Sequence, residues 1–238
     1  MPPEFEYVGD ELELFAKANN WKAYFRARLG RLISGQVLEV GAGIGATTRV
    51  FQSEPFTHWT CLEPDPALLN QLQDRLLHAP SSEHYDCRQG TLSSMEQDKK
   101  FETILYIDVL EHIQHDKEEI NQAAELLSPG GRLIILSPAY QFLFSPFDTS
   151  IGHFRRYTLN SLKKLTPKGC EVDQGYYLDS VGLLASLANR LFLKASMPTQ
   201  RQIAFWDSVL VRCSRIIDWI VLHSVGRSVI VVWKKGNQ

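Results

Sequence analysis

The residues that could do chemistry fall into two stretches. The first, Val37 to Thr48, reads VLEVGAGIGATT: an apolar run carrying Glu39, then Gly41, Gly43 and Gly45 at alternate positions. Without a Cβ the backbone can turn sharply and come close to a ligand, and the N–H groups that open the next helix face that ligand. GAGIGA fits the dinucleotide pattern, and Glu63 lies near the offset of about 20 residues at which a ribose-binding acid is found. The turn alone leaves the class of nucleoside cofactor open, and a turn that only packs strand on helix would read the same way. The second stretch, FDTSIGHFRRYT, puts Asp148, His153, Arg155, Arg156 and Tyr157 within ten residues. Guanidinium forks suit a carboxylate or phosphate, so the pair of arginines points to an anionic ligand, unless Asp148 takes one of them to fix the loop. His153 and, in DVLEHI, His112 have the near-neutral pKa of a proton acceptor. No Cys or His cluster has metal-ligand spacing, so no metal and no metal-dependent catechol-type mechanism is expected.

The elements that hold these residues are read from hydrophobic spacing. Asp10 to Ile33 is helical with a break near Asn19 and Asn20. QVLEV is a first strand, ATTRVFQSE a short helix, THWTCLEPD a second strand and PALLNQLQDRLL a helix. HYDCRQGTL and FETILYIDVLEHI are strands three and four. KEEINQAAELL is a helix closed by Ser128, Pro129, Gly130 and Gly131, and RLIILSP is strand five. Strands one, four and five are apolar runs rather than alternating ones, as expected where helices bury both faces of a parallel sheet. A doubly wound α/β fold follows. The loop from Ala139 to Tyr157 is too irregular for a helix and too aromatic for a linker. A helix TLNSLKKL, a strand CEVDQGYYL, about 45 residues of helical pattern and a last strand SVIVVW complete the chain.

A net charge of -2 gives no general electrostatic reason to bind nucleic acid. Cys61, Cys87, Cys170 and Cys213 lack CxxC spacing and no signal-peptide pattern opens the chain, so a reducing cytoplasm is expected. The longest apolar candidate, Ile203 to Leu222, is broken by Asp207, Arg212, Arg215 and Asp218, which argues against a transmembrane span.

Over residues 35 to 233 the sequence resembles the class I S-adenosylmethionine-dependent methyltransferases. LEVGAGIG is similar to their first motif, CLEPD to the second, ILYIDVLEHI to the fourth-strand motif and LLSPGGRLIILSP to the stretch through strand five. The resemblance implies a seven-stranded, mostly parallel Rossmann-like sheet with an antiparallel last strand and S-adenosylmethionine as cofactor. It further implies cofactor contacts from Glu39, Gly41, Ala42, Gly43, Glu63, Pro64, Thr91, Leu92, Ile107 and Asp108. Glu63 would take both ribose hydroxyls, and Glu39 would brace the turn or sit near the cofactor amino group. Gln89-Gly90-Thr91-Leu92 stands where many relatives carry an acid for the adenine amine. The stretch GHFRRY resembles a GHxRRY segment of bacterial small-molecule methyltransferases.

On this reading one domain is expected over residues 1–238, with a helical cover (1–34), a cofactor-binding core (35–180), a helical lid (181–225) and a last strand and tail (226–238). It would methylate a small molecule, most naturally an oxygen of an anionic or glycan-like metabolite, with His112 and His153 as candidate bases. Tyr7, Phe147, Arg155, Arg156 and Tyr157 would meet the acceptor, and Trp21, Phe142 and Trp206 would add walls to its pocket. The apolar residues between Val181 and His223 suit core, lid, homodimer face or peripheral membrane contact, in that order.

Overall fold

The computed structural model describes residues 11–79, 82–188, 190 and 198–237. Its strands form because successive side chains have separate layers to enter. In β1 (Gly35–Val40), Val37 enters one layer while Leu38 and Val40 enter the other, and all three are buried. The remaining strands are β2 (Phe56–Glu63), β3 (Tyr85–Gln89), β4 (Phe101–Ile107), β5 (Leu127–Pro138), β6 (Cys170–Leu178) and β7 (Ser228–Lys235). They form one seven-stranded sheet in the order β3-β2-β1-β4-β5-β7-β6. The first five strands pair in parallel, and β7 runs antiparallel to both β5 and β6. The chain leaves β1 in one direction and returns through β4 on its other side, which opens a crevice at the carboxyl ends of these two strands.

The helices are α1 (Glu11–Ala16), α2 (Asn19–Leu29), α3 (Pro66–Leu77), α4 (Asp116–Glu125), α5 (Pro146–Ser150), α6 (Leu159–Lys164), α7 (Ser180–Ala188), α8 (Gln200–Phe205) and α9 (Val211–Ile220). One core layer joins Phe25 and Leu29 of α2, Leu69 and Leu72 of α3, Trp206 and Val211 to the sheet. The other joins Ile120 of α4 and Leu162 of α6 to the opposite face. α3 starts sharply because Pro66 occupies its first turn and the Asp65 carboxylate accepts N–H groups from Ala67 and Leu68 at 2.7 and 3.0 Å.

Three segments depart from the sequence reading. ATTRVFQSE forms only a 3-10 turn, Thr48–Phe51. Its anchors are already set there: Phe51 packs between Phe25 and Trp59, and the Thr48 hydroxyl bonds to Glu39. Ser128 to Gly131 belongs to β5 rather than closing α4, and a Cβ on Gly131 would sit 2.9 Å from the Ser128 carbonyl oxygen. The irregular loop after β5 contains α5, started by a capping box between Ser145 and Asp148.

Two buried carboxylates tie the N-terminal helices to the helical segment between β6 and β7. Asp207, in a π-helical turn (Trp206–Leu210), accepts the backbone N–H of Trp21 at 2.8 Å and of Asn20 at 3.1 Å, capping α2 from a distant part of the chain. Asp218 of α9, fully buried, accepts the Tyr24 hydroxyl and the N–H groups of Asp179 and Ser180 at 2.7 to 2.9 Å. The outer face of that segment is not core: Phe205, Ile216, Trp219, Ile220 and Leu222 are between 56% and 83% exposed. With Asp207 and Asp218 turned inward, the exposed charges beside them are Arg201, Arg212 and Arg215.

Asp218→Ala should destabilise the protein by about 3 kcal/mol or more, because three buried donors lose their acceptor at about 1 to 3 kcal/mol each. Urea unfolding of the two proteins measures the difference, and a loss below about 1 kcal/mol would show that water replaces the carboxylate.

Candidate active site

A cavity of about 210 Å³ opens at the crevice. Its floor is the glycine turn after β1, with Gly41, Ala42, Gly43 and Ile44, and the end of β4, with Ile107 and Asp108. Gly41 has φ 68°, and a Cβ there would lie 2.8 Å from a methyl of Val109, so both the backbone and the space require glycine. The turn is stitched to β2: Ala42 N–H donates to the Leu62 carbonyl at 2.9 Å, and Gly43 N–H donates to the Glu63 carboxylate at 2.7 Å. The other Glu63 oxygen accepts the Asp65 N–H at 3.0 Å. Burial raises the Glu63 pKa, and these two donors partly offset it.

Glu39 lies below the turn, outside the cavity lining. One of its oxygens accepts both the Thr48 hydroxyl, at 2.7 Å, and the Trp59 indole N–H, at 2.9 Å. Burial pushes its pKa up to about 7 despite these bonds. Its contacts in the structure are therefore those of a brace. Glu63, Pro64, Thr91 and Leu92 also lie outside the cavity lining, at the β2–β3 edge beside it, where Gly90 N–H donates to the Glu63 carbonyl at 3.1 Å.

The opposite wall is built from the ends of β4 and β5 and the loop after β5. It carries Glu111, His112, Phe147, Asp148, His153 and Arg156. Asp148 is the hub. It bonds Arg156 through Nε at 2.7 Å and Nη2 at 2.9 Å, His153 Nδ1 at 2.9 Å, and the Ser145 backbone N–H and hydroxyl, both at 2.9 Å. Burial acts to raise its pKa, but the hydrogen bonds from His153 and Arg156 outweigh it and hold the carboxyl well below the usual range. The His112 and His153 rings meet edge to face at 4.5 Å. Burial and the neighbouring His153 push the His112 pKa down to about 3, so this imidazole is neutral at physiological pH.

Arg155 and Tyr157 do not reach the cavity lining, contrary to the sequence reading. Both are held by Asp116: Arg155 Nη1 lies 2.6 Å from its carboxylate and the Tyr157 hydroxyl donates to it at 2.7 Å. Consecutive residues of an extended segment point to opposite sides, so Arg156 faces the cavity while its neighbours face away. Phe142 is 53% exposed and stacks on Tyr140, away from the lining, whereas Trp21, Phe147 and Trp206 do form walls. Tyr7 lies outside the described residues.

Three charged lining residues escaped the sequence reading. Lys22 donates to the carbonyls of Phe15 and Ala16 at 2.6 and 2.9 Å, and burial lowers its pKa to about 8. Arg227, just before β7, is half-buried, with its guanidinium 4.7 Å from the centre of the Trp206 ring. Glu111 is fully buried, and only its adjacency to His112 could have drawn attention to it. Asp108, with φ 55°, stands exposed at the end of β4, on the cavity floor.

Residues 38–133, from β1 into β5, match the family model of a methyltransferase domain. The demethylmenaquinone methyltransferase of Tropheryma whipplei is 28% identical over 152 residues, covering 63% of this chain; the chain spans 61% of that protein's length. The YcgJ protein from Bacillus subtilis shares the fold with a TM-score of 0.60 at 13% identity, over 92% of this chain and 100% of that one. The glycopeptide N-methyltransferase MtfA, solved with sinefungin, does so with a TM-score of 0.54 at 17% identity, over 90% and 84%. Among the described residues no helix is long and apolar enough to cross a membrane. The matched residues run from β1 through the glycine turn into β5, so this part of the chain is similar to a methyltransferase domain, on a fold shared with methyltransferases of known structure.

Proposed function

We propose that this chain is an S-adenosylmethionine-dependent methyltransferase that moves the cofactor methyl group to an oxygen of a small anionic or glycan-like acceptor. The observation that carries the reading is the cavity itself, which has the glycine turn on one side and His112, His153 and Arg156 on the other. The methionine end of the cofactor lies along Gly41, Ala42 and Gly43 toward Ile107 and Asp108, with the Lys22 ammonium on its carboxylate. Glu63 takes the ribose hydroxyls, since a carboxylate can accept from two neighbouring O–H groups while keeping its backbone donors. Pro64, Thr91 and Leu92 flank the adenine, outside the cavity.

Transfer is an in-line displacement. The acceptor oxygen forms the new C–O bond, the C–S electron pair returns to sulfur, and the acceptor proton leaves. Alignment supplies most of the rate. His153 flanks the acceptor and takes the proton, while His112, left a weak base by its low pKa, packs edge to face against the His153 ring. Asp148 occupies two of the five N–H donors of Arg156, and the rest suit an anionic group. The helical segment between β6 and β7, joined to α2 through Asp207 and Asp218, covers the site and excludes water.

A second reading, methylation of a ring carbon of a lipid-soluble acceptor, is favoured by the exposed apolar and basic face of α9, which suits an anionic bilayer surface, and by the demethylmenaquinone methyltransferase among the relatives. Incubation of the full chain with methyl-labelled S-adenosylmethionine separates the two. Label on oxygen of hydroxy acids or sugar phosphates is the expected result; label only on the ring carbon of a quinol in anionic vesicles would replace the first reading by the second. The Lys22 assignment gives a pH signature. The ammonium is charged below about 8 and neutral above, so affinity for S-adenosylhomocysteine should fall as pH rises from 7 to 9.5. Lys22→Met should bind more weakly at pH 7 with a flatter profile, and an unchanged profile would remove Lys22 from the site.

A further inference from the structure

We infer that Glu111, His112 and His153 form a binding site for a divalent transition-metal ion at the acceptor end of the cavity. The inference deepens the reading of an oxygen acceptor and rests on it for the ion's role, though not for its binding. One donor atom from each of the three residues lies within 4.8 Å of the other two, and all three line the cavity. His153 Nε2 is 3.9 Å from Glu111 Oε1. Around a tetrahedral ion with bonds near 2.05 Å, ligands stand about 3.3 Å apart, so closing on an ion requires only side-chain adjustment.

The stronger observation is what Glu111 lacks. Its Oε2 accepts the Ser137 hydroxyl at 2.9 Å, but Oε1 is buried with no hydrogen-bond partner. Among the described residues the other unpartnered buried side-chain atoms are hydroxyls, Tyr85, Tyr176 and Ser180. A buried carboxylate oxygen is more costly to leave unpaired than a hydroxyl. A cation at this point would satisfy it.

Each of the three residues also has the outer partner that metal ligands carry. Ser137 orients the Glu111 carboxylate. The Asp148 carboxylate can only accept, so His153 Nδ1 donates to it and Nε2 presents its lone pair toward Glu111. His112 bonds the backbone of Ile151. Two imidazoles and one carboxylate form a donor set for zinc, manganese, iron, cobalt or nickel rather than for magnesium or calcium, which favour oxygen alone. Three protein ligands leave positions open for substrate. The matching acceptor is one with two adjacent oxygens, a vicinal diol or an α-hydroxy acid. Binding to the ion lowers the pKa of the attacking hydroxyl, so its proton departs to solvent, the oxygen takes the methyl carbon, and the sulfonium becomes a thioether. The two imidazoles then act as ligands, and the ion replaces His153 in activating the acceptor.

The test is metal binding by the chelator-stripped full chain with no acceptor present. Cobalt(II) should give a visible spectrum saturating at one ion per chain, without the near-ultraviolet thiolate band that binding at Cys61 or Cys87 would produce. Zinc should displace it in calorimetry. Glu111→Gln and His153→Ala should each weaken zinc binding at least 100-fold while S-adenosylhomocysteine still binds, which shows that the variants are folded. His223→Ala, outside the cavity, should bind zinc as the unaltered protein does. Zinc affinity in Glu111→Gln equal to that of the unaltered chain, or a thiolate spectrum, would overturn the site. If the ion binds but no hydroxyl acceptor is methylated, the metal site stands and the oxygen-acceptor reading fails.

Discussion

The hydrogen bond from Gly43 N–H to the Glu63 carboxylate sets the geometry on which the site depends. A glycine-rich turn has no side chains to hold its shape, so the shape must come from its surroundings. Here the adjacent strand supplies it. Glu63 bonds the top of the turn, the Leu62 carbonyl bonds its base through Ala42, and Glu39 fixes the segment after it through Thr48. The turn is thereby held against β2 with Gly41, Ala42 and Gly43 facing the cavity. The same carboxylate that is proposed to hold the ribose therefore also positions the backbone proposed to lie along the methionine.

The rest of the edge is organised by further buried carboxylates. Asp148 gathers Arg156, His153 and Ser145, while Asp207 and Asp218 gather α2, α7 and α9. In a medium where an unpaired acceptor is expensive, each acid selects the one arrangement of loops that supplies its donors. The loops around the cavity are irregular in sequence but determined in position. Glu111 stands apart because one of its oxygens finds no protein donor.

Much of the sheet was legible in the sequence because buried parallel strands write themselves as apolar runs, and the glycine turn because an apolar strand passes directly into alternating glycines, although the helix expected after it is only a 3-10 turn. The side-chain hubs were not. His112 and His153 stand 41 residues apart in the chain and meet only because the loop after β5 folds back over the end of β4. Asp207 caps a helix 186 residues away. Arg155, Arg156 and Tyr157 read as one cluster, yet the extended backbone sends the first and last to Asp116 and the middle one to Asp148. Spacing shows which residues are neighbours along the chain, and the loop conformation decides which of them share a cavity. The face of α9 was misjudged for a related reason: amphipathic spacing marks an apolar side, but what that side meets depends on the packing of α2 and α7, which the buried face of α9 already satisfies.

The most direct test of the account is calorimetric titration of S-adenosylhomocysteine into the unaltered protein and into Glu63→Ala. The variant loses the charged acceptor for the ribose and the tether of the turn together, so binding should weaken by about 1.5 to 3 kcal/mol, roughly 10- to 150-fold. An affinity equal to that of the unaltered protein would contradict the claim that Glu63 shapes and serves the cofactor site.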